Sequence, residues 1–188
     1  MIIESIITTQ SQDGRVHVAP MGVREENGWV ILAPFKPSTT LVNILSSKCA
    51  VQNFCDDVCV FAGCVTGFKR DWPVVAASKI TSVRLRDTLA HCELLLDHID
   101  DDDQRPTLYL KRAHEETHGA FGGFNRAQAA VIEGAVLISR LHLMPAEKID
   151  AEWRYLTIAI EKTAGDNERE AWGWLAEKLS QHRKANAS

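Results

Sequence analysis

The sequence predicts an α+β fold, an antiparallel β-barrel over residues 1–120 followed by a helical subdomain over residues 121–188. Three observations predict it. Apolar residues tend to alternate up to about residue 120 and recur at helical spacing beyond it. Asn27-Gly28 stands between two alternating runs, and this pair accepts the positive φ angles of a tight hairpin turn. The 188 residues, 45% hydrophobic, are enough for a sizeable core without disulfide or metal staples.

Taken in order, Ile2–Thr9 is a β-branched strand and Gln10–Gly14 supplies turn residues. Arg15–Val23 alternates again, Glu25–Gly28 forms the hairpin, and Trp29–Ala33 is the return strand. Pro37 is tolerated just before a helix, Ser38 is placed to cap one, and Leu41, Ile44 and Leu45 then share a face. Ala50–Phe54 resumes a strand. Residues 55–79 show no period that assigns them. A long strand is expected near 80–97 and another over 107–117, joined by the solvated acidic turn Asp100–Asp103.

Beyond residue 120, Ala127, Ala130, Val131, Gly134, Ile138 and Leu141 form one helical stripe. Pro145 is placed to open a second helix carrying Ile149, Trp153, Leu156 and Ile160, and Gly165 to end it. Asn167 with Glu170 has capping-box spacing for a third helix, whose Ala171, Leu175 and Leu179 face inward. Trp153, Trp172 and Trp174 fall among helical core positions, where two of them read as packing and not as a cofactor box.

The formal net charge of −4 excludes bulk attraction to nucleic acid, and the longest apolar runs are too short for a membrane span. Met1–Ser5 lacks the basic region of a secretory signal, and the five cysteines are odd in number. The expectation is a cytoplasmic protein with reduced thiols. Cys55, Cys59 and Cys64 are too widely spaced for a structural zinc site and read as separate thiols.

The segment Pro34–Thr40 carries the strongest chemical signal. A helix starting there presents unpaired N–H groups and the positive end of its dipole, with the Ser38, Thr39 and Thr40 hydroxyls and the Lys36 cation beside them. This composition suits an anion or phosphate. The same residues also suit an ordinary helix cap with solvated neighbours. His114-Glu-Glu-Thr-His118 satisfies H-E-x-x-H, a zinc-protease motif when helical. Here it continues an alternating strand, which sets the two histidines about 13 Å apart at about 3.3 Å per residue. One zinc ion does not bridge that separation, so no metal site is expected.

With these segments in place the chain resembles the DUF447 family, which is similar to the FMN-binding split-barrel flavoproteins. The resemblance rests on Ala19-Pro-Met-Gly-Val23, Lys36-Pro-Ser-Thr-Thr-Leu-Val-Asn43, Val51-Gln-Asn-Phe54 with Asp56-Asp57, then Gly122-Gly-Phe-Asn-Arg-Ala127, Glu133 and Ser139-Arg140. It implies an antiparallel split β-barrel with a C-terminal helical subdomain, FMN as cofactor, and a homodimer. It implies further that Lys36, Ser38, Thr39 and Thr40 hold the phosphate, with Asn43 and Asn53 near the ribityl or phosphate region. Pro20, Met21 and Gly22 then lie along the isoalloxazine, and Arg126 adds a cation. Cys55 stands where the family is expected to carry a hydroxyl residue. The implied activity is an FMN-dependent oxidoreductase of unknown small-molecule substrate. A non-catalytic flavin-binding or electron-relay protein and a cofactorless dimeric interaction protein are its rivals. His17 is the candidate acid or base near the ring, and a solvated strand histidine is its plain alternative.

Overall fold

The computed structural model describes residues 1–186, so the last two residues of the expected helical span lie outside the described residues. The chain divides into two compact units, Met1–Cys55 with Asp71–Phe121, and Asp56–Arg70 with the residues from Gly122 onward.

The first unit is built on six antiparallel strands. These are β1 (Ile2–Gln10), β2 (Val16–Glu26), β3 (Trp29–Leu32), β4 (Cys49–Phe54), β7 (Ala90–Asp100) and β8 (Thr107–Thr117). They close in the order β1-β2-β3-β8-β7-β4. Helix α1 (Thr39–Ser47) joins β3 to β4, and a separate hairpin, β5 (Val74–Ala76) with β6 (Val83–Leu85), lies between β4 and β7. The β2–β3 turn is the expected one: Glu26 pairs with Trp29, and Asn27 and Gly28 take φ of 52° and 83°. Ser38 caps α1 by accepting the Leu41 N–H at 3.3 Å. Leu41 and Ile44 of α1 enter the barrel core with Ile7, Val23, Leu32, Ala50, Leu94 and Leu108, whereas Leu45 stays 39% exposed.

Residues 80–97 do not form one strand. β6 ends at Leu85 and β7 begins at Ala90. In the break, Thr88 Oγ1 donates to the Phe54 and Ala90 carbonyls at 2.9 and 2.8 Å. The reason lies on the outer side of the barrel. Ile6, Thr8, Val51, Asn53, His91 and Glu93 point away from the central core, yet none is more than 1% exposed. The segment around β5 and β6 is bonded to this wall. Thr8 Oγ1 donates to the Val83 carbonyl at 2.6 Å, Asn53 Oδ1 accepts the Leu85 N–H at 2.8 Å, and Glu93 accepts the N–H groups of Ser78, Lys79 and Ile80 at 2.5, 2.8 and 3.0 Å. Strands buried on both faces lose the alternation that half-buried strands show.

The second unit contains α2 (Cys59–Thr66), α3 (Arg126–Ser139), α4 (Ala146–Thr163) and α5 (Asp166–Asn186). α2 accounts for part of the stretch without a readable period. Its first turn is capped by Asp57, whose Oδ1 accepts the Cys59 N–H at 3.0 Å. Pro145 opens α4 as expected. Asn167 does not cap α5. The helix starts one residue earlier, and Glu168 Oε2 accepts the Gly165 N–H at 2.8 Å, which is the glutamate half of a capping box at Gly165. Gly165 therefore begins α5 and does not close α4 in a left-handed conformation. Gly134 permits the close approach of α3 and α5, because a Cβ there would stand 2.9 Å from the Trp172 ring. Trp153 and Trp172 stack at 4.0 Å between ring centroids, a packing role. No described helix is long and apolar enough to cross a membrane.

Burial pushes the Glu93 carboxyl up, but the three N–H bonds and His91 outweigh it and hold it below its ordinary value. A depressed folded pKa stabilises above the ordinary carboxylate range, and that contribution is lost as pH falls through and below it. Glu93→Gln should cost about 2 kcal/mol or more, since it sets an NH₂ group against buried donors. Urea unfolding at neutral pH checks this, and the gap between variant and parent should narrow toward acid pH.

Candidate functional site

An open cleft of about 660 Å³ lies in the barrel unit between the β1–β2 turn and the start of α1. It is lined by Ser11, Arg15, Val16 and His17 on one side and by Pro37, Ser38, Thr39, Val42 and Asn43 on the other. The volume falls in the range of small-molecule and cofactor sites. The turn is rigid: Ser11 Oγ donates to Asp13 at 2.5 Å, and Arg15 Nε bonds Asp13 Oδ2 at 2.8 Å. The Ser11 hydroxyl, then the Arg15 guanidinium, hold the Asp13 carboxyl below its ordinary value. Opposite stands the start of α1, whose first N–H groups have no acceptor within the helix. Asn43 fixes the helix to the barrel, its Nδ2 donating to Thr9 Oγ1 at 3.0 Å. Thr9 pairs with His17, which places Asn43 and His17 at the same end of β1 and β2.

β2 has a further property. It pairs with β1 over its whole length from Val16 to Arg24, but with β3 only through Arg24, Glu25 and Glu26. The other edge of residues 16–23 therefore runs without a strand partner among the described residues.

Of the residues singled out in the sequence, Ser38, Thr39 and Asn43 line the cleft together. Thr40 is buried beneath α1 and does not line it. Lys36 turns to Asp101 at 2.8 Å, while its backbone N–H donates to the Gln104 carbonyl at 2.7 Å. Asn53 is fully buried and consumed by the barrel. Its Nδ2 bonds the Ile6 carbonyl and Thr8 Oγ1, both at 3.1 Å, and its Oδ1 holds Leu85. Pro20, Met21 and Gly22 lie farther along the open edge of β2. Arg126 is the exposed first residue of α3 in the helical unit. Ser11 and Arg15 were not legible as site residues, because a polar turn near residue 13 carries no signal of what folds against it.

The H-E-x-x-H segment is strand up to Thr117, as its alternation implies: His114 and Glu116 are alternate residues of β8, and His118 follows directly after its end. The neighbouring strand brings a further histidine to this segment. His91 of β7 pairs with Glu116, and its Nδ1 lies 2.9 Å from His118 Nε2. Its Nε2 lies 3.3 Å from Glu93, itself paired with His114.

A closed six-stranded antiparallel barrel, with a helix inserted after its third strand and an open cleft at that helix's start, defines a split-barrel protein. The chain belongs to the DUF447 family. The model described as "Protein of unknown function (DUF447) N-terminal domain" matches residues 3–119, and the one described as "Protein of unknown function (DUF447)" matches residues 125–177. Among solved structures, the chain is similar to the FMN-bound protein MM1853 from Methanosarcina mazei, with a TM-score of 0.81 and 22% identity over 94% of each chain. Flavoredoxin from Methanosarcina acetivorans matches with a TM-score of 0.54 and 13% identity over 62% of this chain and 69% of that one. The 2-nitrobenzoate 2-nitroreductase NbaA of Pseudomonas fluorescens matches with a TM-score of 0.53 and 18% identity over 61% and 64%. These likenesses show the fold. No curated protein matches the sequence significantly.

Asn53 makes its polar contacts within the barrel unit, so Asn53→Ala should act on stability. It strands the Leu85 N–H and removes two donor bonds, at a cost of about 2 kcal/mol or more. Thermal unfolding of the variant beside the parent checks this.

Proposed function

We propose that this protein is an FMN-binding flavoprotein that serves as an oxidoreductase, with the flavin in the cleft between the β1–β2 turn and α1. The observation that carries the reading is the pairing of an N-capped helix start with the open edge of β2, in a chain aligned over 94% of its length with an FMN-bound member of its own family. A flavin has an anionic end and a flat, hydrogen-bonding ring, and these two features match its two ends. The Ser38 hydroxyl, the first-turn N–H group of Thr39, and Arg15 hold the phosphate. Lys36 joins them by leaving Asp101, an exposed pair worth no more than about 1 kcal/mol. Asn43 holds the helix that presents these donors. Backbone groups of Pro20, Met21 and Gly22 meet the ring edge, with His17 on the same strand as the group that moves a proton. Bound FMN supplies the electron chemistry, and the protein positions it.

Two copies pairing across the open β2 edge complete the site in this reading. Val16 and Val42, which line the cleft, are 40% and 62% exposed, and a second chain would cover them. The five cysteines are all free, which suits a reducing cytoplasm.

Protein purified natively should carry flavin absorbance, and the released compound should be FMN. Ser38→Asp keeps a good cap but sets a negative charge at the helix start. It should weaken FMN binding about tenfold or more and riboflavin binding little, the size of one charge-assisted bond. Asp101→Ala, which frees Lys36, should tighten FMN binding, and Lys36→Ala should weaken it. A colourless protein that leaves added FMN fluorescence unquenched, or equal losses for FMN and riboflavin in Ser38→Asp, refutes the assignment.

If the site is shared between two chains, binding and pairing are linked, so FMN should shift a dilute sample toward dimer. Sedimentation over a dilution series with and without FMN checks this. A monomer that binds FMN at full affinity refutes the shared site.

A further inference from the structure

The geometry points to a binding site for one divalent transition-metal ion of the zinc class on the outer face of β7 and β8, ligated by His91 Nδ1, His118 Nε2 and the Glu116 carboxylate, with Glu93 orienting His91. No metal was expected from the sequence, because His114 and His118 lie at opposite ends of a five-residue strand segment. The register changes that conclusion. His91 pairs directly with Glu116, so it stands level with the middle of the segment and reaches His118.

Three features make this more than a cluster of polar side chains. First, the ligand atoms of His91, Glu116 and His118 already lie within 4.8 Å of one another. Tetrahedral zinc with bonds near 2.0–2.1 Å needs separations of about 3.3 Å. The His91–His118 pair, at 2.9 Å, must open by a few tenths of an ångström and the carboxylate must close in. His118 and Glu116 are exposed, and the Glu116 carboxylate has only a long contact of 3.6 Å, with His114 Nε2, to give up, so both can adjust.

Second, the tautomer of His91 is set for ligation. Both Glu93 oxygens accept backbone N–H bonds, so the carboxylate acts as an acceptor, and His91 Nε2, 3.3 Å away, carries the proton toward it. The Nδ1 lone pair is then left facing His118. A buried carboxylate, a histidine and an open ligand position in series form the arrangement that orients metal-binding histidines elsewhere.

Third, the alternative trio of His91, Glu93 and His114 is also compact, but its carboxylate is already spent on three backbone donors. Two imidazoles and one carboxylate suit zinc and its transition-metal neighbours, not calcium or magnesium, and the exposed side leaves a position for water.

The site is separate from the cleft. His17, in the cleft, pairs with Thr9, whereas His91 shares a row with Asn53 and Ile6, three strand spacings across and three residues along. Strand spacings put the two about 17 Å apart. The proposal therefore stands or falls apart from the flavin assignment.

Untagged protein, stripped with a chelator and titrated with Zn²⁺ against a chromophoric competitor, should bind one equivalent per chain, with or without FMN. His118→Ala and Glu116→Gln, both surface changes, should each weaken binding about tenfold or more, while His114→Ala should stay within about threefold of the parent. Co²⁺ loaded in place of zinc should show visible d–d absorption that His118→Ala removes. Circular dichroism confirms that each variant is folded. A parent that fails to bind Zn²⁺ at micromolar concentration overturns the proposal. So does a folded His118→Ala with parental affinity, or a loss confined to His114→Ala.

Discussion

The carboxylate of Glu93 is the interaction on which the barrel unit depends most. It sits fully buried on the outer wall and accepts three successive backbone N–H groups from residues 78–80. That loop has little regular structure, so its buried donors need acceptors from elsewhere. A carboxylate offers several acceptor positions from one side chain, and bonds to a charged group are the stronger kind. Thr8 and Asn53 complete the attachment on β1 and β4. A wall that a barrel would ordinarily give to solvent thus becomes a second interior, polar where it must satisfy backbone and apolar at Ile6 and Val51.

The same attachment decides what lies at the two ends of the neighbouring strands. Because the wall of β1, β4 and β7 is committed to holding the 71–89 segment, the groups open to a ligand gather where the barrel is least closed. β3 is only four residues long and pairs with the far end of β2, so it leaves the near end of β2 bare. α1 fills the gap in the core with Leu41 and Ile44. The cleft is therefore a consequence of a short strand followed by a helix, and Asn43 with Thr9 fixes its width.

Much of this was readable from sequence, and the parts that were not share a cause. Turns and caps are local, so Asn27-Gly28, Ser38 and Pro145 declared themselves. β1 and β8 alternate and match their expected bounds nearly to the residue, while β2 runs past its expected end at Val23 to Glu26. The stretch from 55 to 97 resisted because its elements are short and the first half of β7 is buried on both faces, which removes the period. The candidate site divides in the same way. Ser38, Thr39 and Asn43 belong to one helix start and could be grouped by spacing, whereas Arg15 enters through a turn and Lys36 is drawn off by Asp101, 65 residues away.

The histidines show the limit of spacing arguments most directly. Along a single strand, i and i+4 are separated by about 13 Å, and the inference from that distance is sound for that strand alone. A sheet, however, brings residues together across strands at about 5 Å, where sequence separation carries no information. His91 and His118 are 27 residues apart and share a hydrogen bond, while His114 and His118 are four apart and do not meet through their own strand. A motif defined on one helix thus loses its meaning when its residues lie on a strand, but the residues keep their chemistry. Whether they form a site is then decided by what the neighbouring strand presents, and here it presents a buried histidine already oriented by a carboxylate.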